Sequence, residues 1–220
     1  MLYSAELRWF FEGEPSDAAR DWFDASGRSR PQSARVDAYL ALPGCETAGI
    51  KLRENRLEIK ARTAAPERLA LGGVEGLCDG WLKWSLAPGD AGPLRRTLAA
   101  GGDQWVPVQK RRRLRKFSTD GPTVAEIDAD DILARNGCQL ELAALRVLRP
   151  RCGLDEPAET DWTDAASWWS LSLEAFGELT RLRESLARAA AAMLVEPPAL
   201  DLESASSLSY PSWLNRRILR

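Results

Sequence analysis

Lys51 and Arg53 flank Leu52, and Lys60 and Arg62 flank Ala61, in segments where charged and apolar side chains alternate; Lys110 and Arg112 repeat the spacing at the start of a basic run that extends to Lys116. Side chains two apart leave the same face of a strand, so each pair presents two cations together. Such groups suit oxyanions, with arginine acting as a bidentate fork and lysine as a point charge. Carboxylates at Glu6, Glu58, Glu126, Asp128 and Glu141 are interspersed among them, and carboxylate oxygens are the donors that hard divalent cations prefer. The chain has no histidine. That removes Ser-His-Asp and Cys-His nucleophiles, ordinary histidine metal sites and imidazole bases, leaving carboxylates, lysine, arginine, tyrosine or a hard metal ion.

The alternation recurs along the first two thirds of the chain, in Glu6-Leu7-Arg8-Trp9, Arg35-Val36-Asp37-Ala38-Tyr39, Leu82-Lys83-Trp84, Val108-Gln109-Lys110 and Leu140-Glu141-Leu142. An ordinary antiparallel sheet gives the same pattern, with its charged face in water. Alternatively the charged faces line a polar cavity. Lys51, Arg53, Lys60 and Arg62 favour the cavity, because like charges on paired strands cost stability unless an anion lies between them.

The elements that position these residues read as short strands separated by Gly, Pro, Asp and Asn clusters. Strands are expected near 3–12, 34–42, 48–54, 56–63, 78–86, 105–117, 123–129 and 138–148, about eight, enough to close a small antiparallel barrel. Asn55 marks a tight hairpin between Arg53 and Arg56. Ser16 to Phe23 reads as a short capped helix, and Leu94–Ala99 as a helical turn within a Gly- and Pro-rich connection. From Asp164 the spacing of Trp168, Leu171, Leu173, Phe176, Leu179, Leu182, Leu186, Ala190 and Met193 predicts a long helix ended by Pro197-Pro198. Tyr210 to Leu214 reads as a segment packed on the body. The expected class is α+β: an eight-stranded antiparallel barrel over 1–150 with flanking helices, and a helical extension over 151–220 packed on it.

The 220 residues, 45% hydrophobic, suffice for a substantial core. The net charge of −2 gives no global attraction to nucleic acid or anionic membrane, so any basic site is local. No stretch reaches the roughly 20 apolar residues of a membrane helix and no secretory pattern opens the chain, so a cytoplasmic protein is expected. Cys45, Cys78, Cys138 and Cys152 lack metal-site spacing and read as free thiols.

Taken in order, Ala5-Glu6-Leu7-Arg8-Trp9-Phe10-Phe11, Gly49-Ile50-Lys51-Leu52-Arg53, Leu57-Glu58-Ile59-Lys60, the basic strand Lys110 to Lys116, Ala125-Glu126-Ile127-Asp128 and Gly137-Cys138-Gln139-Leu140-Glu141-Leu142 resemble the CYTH superfamily, the triphosphate tunnel metalloenzymes, over about residues 3–148. The resemblance implies a barrel with a hydrophilic interior that holds a triphosphate-containing small molecule and Mg²⁺ or Mn²⁺. It makes Lys60 and Glu58 the catalytic candidates, and Arg35, Lys51, Arg53, Arg62, Lys83, Lys110 and Arg112 the substrate contacts. Glu6, Glu126, Asp128 and Glu141 become the metal-side carboxylates. Hydrolysis there needs no protein nucleophile, since metal and fixed cations stabilise the transferring phosphoryl group.

The family's first strand carries Glu-x-Glu-x-Lys, whereas Arg8 and Phe10 stand at the second and third of those positions here, and Gln139 replaces one acid of the late pair. Losing a carboxylate from each pair weakens metal binding, so a non-catalytic binder of polyphosphorylated ligands is the alternative within the same fold. A third reading, a nucleic-acid or acidic-partner binding module, rests on Arg111, Arg113 and Arg115 as a basic surface. The acidic overall balance and the lack of an RRM, KH or helix-turn-helix signature argue against it.

Overall fold

Eight antiparallel strands close into a ring whose outer face, on one side, carries the largest apolar core. The computed structural model describes residues 2–25, 28–71, 74–100, 104–152, 157–194, 200, 202–203 and 206–220. Among these, the strands are β1 (Leu2–Glu12), β2 (Arg30–Pro31), β3 (Arg35–Leu40), β4 (Ala48–Arg53), β5 (Arg56–Arg62), β6 (Glu67–Leu71), β7 (Val74–Leu86), β8 (Gln104–Ser118), β9 (Ala125–Ile127), β10 (Gly137–Val147), β11 (Arg151–Cys152) and β12 (Ala166–Phe176). The ring runs β1-β12-β10-β8-β3-β4-β5-β7 and closes where β7 pairs with β1. The described helices are α1 (Asp17–Asp24), α2 (Pro88–Ala100), α3 (Leu182–Met193) and α4 (Tyr210–Trp213), with short 3₁₀ and π turns between and after them. No described helix is long and apolar enough to cross a membrane.

The two-residue period decides which side chains face in. Ala5, Leu7 and Trp9 of β1, Cys138, Leu140 and Leu142 of β10, and Trp169, Leu171, Leu173 and Ala175 of β12 are buried outside the ring, against Leu182, Leu186, Ala189 and Ala190 of α3. Burying that strip under a helix is the main apolar stabilisation of this side, on the order of 25 cal/mol per Å² removed from water. The intervening positions, Glu6, Arg8, Gln139, Glu141, Ser172 and Glu174, are thereby committed to the interior.

One end of the interior is filled. Phe10, Tyr39, Val108, Ala143, Leu145 and Trp168 of the wall pack on Tyr210, Trp213 and Leu214. Phe10 stacks on Trp213 at 4.5 Å and Tyr39 on Tyr210 at 5.1 Å. Ser209 caps α4 by accepting from the Ser212 amide. The C-terminal segment is thus a plug for the barrel, as the expectation of a packed Tyr210–Leu214 segment required.

Two sequence expectations are corrected. Residues 166–176 form a strand, not the start of a helix: β12 pairs with β1 and β10 along its length, and the helix begins only at Leu182. Residues 123–129 supply only the three-residue β9, which pairs with β8 outside the ring. The eighth barrel strand is β12. Ser16 does cap α1, accepting from the Ala19 amide at 3.2 Å, and the 53–56 hairpin is present with Glu54 and Asn55 at φ 48° and 63°. That left-handed turn matches the twist of paired strands and fixes the β4–β5 register.

Candidate anion-binding cavity

The register set by the hairpin places Lys51 opposite Glu58 and Gly49 opposite Lys60. The expected row of directly facing cations across β4 and β5 is therefore staggered by an acid. Like charges do meet beside the hairpin, where Arg53 lies opposite Arg56, and one strand further on, where Lys60 lies directly opposite Lys83 in the β5–β7 pair.

The interior is a cavity of about 630 Å³ whose described lining includes nine cations and four carboxylates. The cations are Arg8, Arg35, Lys51, Arg53, Arg56, Lys60, Lys83, Lys110 and Arg112; the carboxylates are Glu6, Glu58, Glu141 and Glu174. Asp37 lies fully buried behind the lining. It contacts Arg35 and Lys110 at 3.1 Å and Lys51 at 3.3 Å, so one acid neutralises part of three cations. Lys110 also donates to the Tyr39 hydroxyl at 2.5 Å and sits 4.0 Å from the centre of the Tyr210 ring.

On the opposite wall Arg8 enters from β1. Its Nε donates to Glu6 at 2.7 Å, and its Nη1 to Glu141 at 3.1 Å and to the Ser170 hydroxyl at 3.1 Å. Its guanidinium also lies 4.9 Å from the centre of the Tyr210 ring. Glu141 accepts from Arg112 at 3.0 Å. Glu58 is held by Lys51 at 3.0 Å and by Arg53, and Glu174 by Lys83.

Burial would raise the Glu6 carboxyl, but Lys60, Arg8 and Lys83 together outweigh it and hold Glu6 well below the carboxylate range. Against the same burial penalty, Arg8, Arg112 and Lys110 bring Glu141 down to about 2. The lysines carry the complementary strain. Burial first, then Lys83 and Arg8, lowers Lys60 from 10.5 to about 8 despite Glu6. Burial likewise lowers Lys51 and Lys110, with Asp37 opposing in both. Lys83 alone of the four is raised: burial would lower it, and Glu174 and Glu6 overcome that.

Several donors remain. The Nε atoms of Arg53 and Arg112 and the Tyr210 hydroxyl are buried and make no hydrogen bond within the protein. Unmet donors in a cavity richer in cations than carboxylates are what a bound oxyanion would satisfy.

The structure brings Lys60, Glu58, Arg35, Lys51, Arg53, Lys83, Lys110, Arg112, Glu6 and Glu141 to this one lining. It leaves out three expected residues. Arg62 turns to Asp79 at 2.7 Å and to Ser209 and Ser212. Glu126 takes a bidentate pair from Arg115 on the outside of β8, and the exposed Asp128 meets Arg30 at 3.4 Å. Glu174 was hidden by the helical reading of its segment, although the alternation Trp169-Ser170-Leu171-Ser172-Leu173-Glu174 carries the strand signal. Tyr210 carried no sequence signal beyond its place in the packed tail.

A divalent ion at the place the resemblance implies would need Glu6 and Glu141 as ligands. Both are engaged by one guanidinium, and the two other lining carboxylates are engaged by Lys51, Arg53 and Lys83. Among the described residues no three metal-ligating side chains converge. This donor set does not fit a resident divalent cation.

No family model matches the chain, and no curated protein matches it. Solved structures similar to the chain include two archaeal proteins. One is a conserved hypothetical protein, Pfu-838710-001, from Pyrococcus furiosus, at 12% identity over 90% of this chain and 98% of that chain, with a TM-score of 0.39. The other is PH1012 protein from Pyrococcus Horikoshii OT3, at 12% identity over 90% of this chain and 97% of that chain, with a TM-score of 0.38.

Proposed function

We propose that this barrel binds a compact polyanion of the triphosphate class in its cavity. The observation that carries the reading is the imbalance of the lining, nine cations against four carboxylates in one cavity, which remains an excess when Asp37 behind the lining is counted. Burial first, and neighbouring cations after it, lower the proton affinity of Lys51, Lys60 and Lys110 against the opposing acids, and a bound polyanion would offset that cost. The resemblance to the CYTH superfamily supports a chain of phosphoryl groups over a single anion. So does the spread of cations over β3, β4, β5, β7 and β8, which offers contacts along a length rather than at a point.

Hydrolysis with Mg²⁺ or Mn²⁺ shares the fold and the cations but needs carboxylates free for metal, and these are held by arginine and lysine. The nucleic-acid reading loses its basic face in part, because Arg113 pairs with Asp24 and Arg115 with Glu126.

The test is calorimetric titration of inorganic triphosphate, ATP, GTP and thiamine triphosphate, beside phosphate-release assays with Mg²⁺, Mn²⁺ or chelator. Saturable binding that weakens with salt and is lost in Lys60→Ala is the expected result. Metal-dependent phosphate release abolished by the same substitution would establish the hydrolase instead. A folded protein that binds none of the four ligands would sink both.

A further inference from the structure

We infer that Arg8 is a built-in counter-ion standing where the resemblance would put a divalent metal, so that the cavity takes its polyanion without one. The inference rests on the anion-binding reading above and adds the identity of the cation that organises the carboxylate wall.

Arg8 and Glu6 sit two residues apart on β1, so both project into the barrel. Glu141 arrives from β10, two strands away, because β12 separates β1 from β10 in the ring. Ser172 of β12 lies in register with both Arg8 and Glu141. The guanidinium spans this gap, with Nε on Glu6 Oε1 at 2.7 Å and Nη1 on Glu141 Oε1 at 3.1 Å. Two carboxylates from separate strands therefore share one cation, which is the bridging geometry that a divalent ion otherwise supplies.

The placement is built rather than incidental. Arg8 is only 6% exposed. Its Nη1 donates also to Ser170, and its guanidinium carbon lies over the ring of Tyr210 from the C-terminal plug. A buried arginine remains charged, since burial would lower its proton affinity but Glu6 and Glu141 raise it well above the ordinary value. A cation that cannot dissociate fills the position at any metal concentration. The remaining oxygens are covered from the other side, Glu6 Oε2 by Lys60 at 3.7 Å and Glu141 Oε2 by Arg112 at 3.0 Å.

Arg8 therefore has two effects. It cancels the repulsion that Glu6 and Glu141 would exert on an entering polyanion, and it denies a metal ion the two carboxylates it would need. Removing the side chain should expose both carboxylates to the cavity and create a cation site that the wild-type protein lacks. Arg8 is in this sense a positioning residue that sets the cofactor requirement.

The experiment uses the full chain with inorganic triphosphate as the probe, titrated calorimetrically in chelator and with Mn²⁺, while electron paramagnetic resonance counts Mn²⁺ bound directly to the protein. Wild type is expected to bind the probe in chelator within about threefold of its affinity with Mn²⁺, and to hold no Mn²⁺ by itself. Arg8→Ala is expected to lose about tenfold or more in chelator, as deletion of one charged partner commonly costs. It should also gain a saturable Mn²⁺ signal and recover probe binding when Mn²⁺ is present. A merely structural arginine would give the loss without the metal rescue.

Wild-type binding that requires Mn²⁺, or stoichiometric Mn²⁺ on the wild-type protein, would overturn the inference while leaving anion binding intact. So would a folded Arg8→Ala protein that Mn²⁺ does not rescue. If wild type binds the probe in neither condition, the anion-binding reading itself falls. Should Arg8→Ala not fold, the wild-type comparison with and without Mn²⁺ decides alone.

Discussion

The Lys60 ammonium lies 4.1 Å from the centre of the Trp81 ring. Trp81 is fully buried, so this cation rests on an aromatic face, with Lys83 directly across the strand pair. Neither neighbour offers it a hydrogen-bond acceptor, and among the described residues its carboxylate contact, to Glu6, is long at 3.7 Å. Lys60 is thus a weakly compensated charge, ready for an anionic partner.

A pH dependence of opposite sign for folding and for binding follows. Burial chiefly, with help from Lys83 and Arg8, brings Lys60 from 10.5 to about 8. Below about pH 8 both folded and unfolded chains carry the proton at this site. Between about 8 and 10.5 only the unfolded chain does, so the contribution of Lys60 to fold stability rises with pH across that window. On the proposed reading, anion affinity should fall as pH rises through about 8, because the charge that would attract the ligand is lost. Titrations of inorganic triphosphate at pH 7 and pH 9 should differ by about tenfold more in wild type than in Lys60→Arg, whose charge does not titrate there. Comparing the two proteins cancels the ligand's own titration. Equal pH dependence in both would contradict the assignment.

Asp37 offers a second test, because it is a buried acid serving three cations. It contacts Arg35, Lys51 and Lys110 and is completely inaccessible. Asp37→Asn should destabilise the protein by about 3–5 kcal/mol, the usual consequence of breaking a buried ion pair. The same change leaves the cavity with more uncompensated positive charge. The thermal stabilisation produced by inorganic triphosphate should therefore be larger than in wild type, although the unliganded protein melts lower. A uniform loss of both would mean that Asp37 shapes the site rather than balancing its charge.

Glu126 and Asp128 separate the sequence motif from the site. Both lie with β9 outside the ring, on Arg115 and Arg30. Glu126→Gln and Asp128→Asn should leave inorganic triphosphate affinity within about twofold of wild type. Glu126→Gln alone should lower stability, by on the order of 1–2 kcal/mol, since Arg115 is largely buried and loses its bidentate partner. Calorimetry and urea unfolding on the two variants would separate these effects, and a large loss of affinity in either would return them to the binding machinery.

How much of this was legible in the sequence varied with the kind of signal. Alternation revealed β1, β4, β5, β8 and β10, and with them Glu6, Lys51, Lys60, Lys110 and Glu141, because one face of each strand had to be charged. It failed at β12, where Trp168 and Leu171 sit three apart and Leu182, Leu186, Ala190 and Met193 continue in true helical spacing from α3. A strand joined closely to a helix let the stronger 3.6-residue period absorb its neighbour. Glu174 was lost with it. Arg8 was legible only as a departure from the acidic motif and Tyr210 only as part of a packed tail, since the contacts of each depend on partners brought from β10, β12 and the C-terminal plug.

That plug supports the final prediction. Trp213 is fully buried, stacked on Phe10 at 4.5 Å and edge-on to Trp168 at 5.7 Å. Trp213→Ala should cost about 3–5 kcal/mol in urea unfolding, the usual range for truncating a large buried aromatic. Tyr210, one turn earlier, covers Arg8 at 4.9 Å and Lys110 at 4.0 Å with its ring, while its hydroxyl makes no hydrogen bond within the protein. Tyr210→Phe keeps the aromatic face and leaves no partner unmet, so its unliganded stability should stay within about 0.5 kcal/mol of wild type. Tyr210→Leu removes the face from two buried cations and should lose about 1–2 kcal/mol beyond the change in apolar area. If the hydroxyl binds the ligand, Tyr210→Phe will weaken inorganic triphosphate binding without altering the melting of the unliganded protein. If the plug only closes the barrel, Tyr210→Phe will match wild type in both measurements.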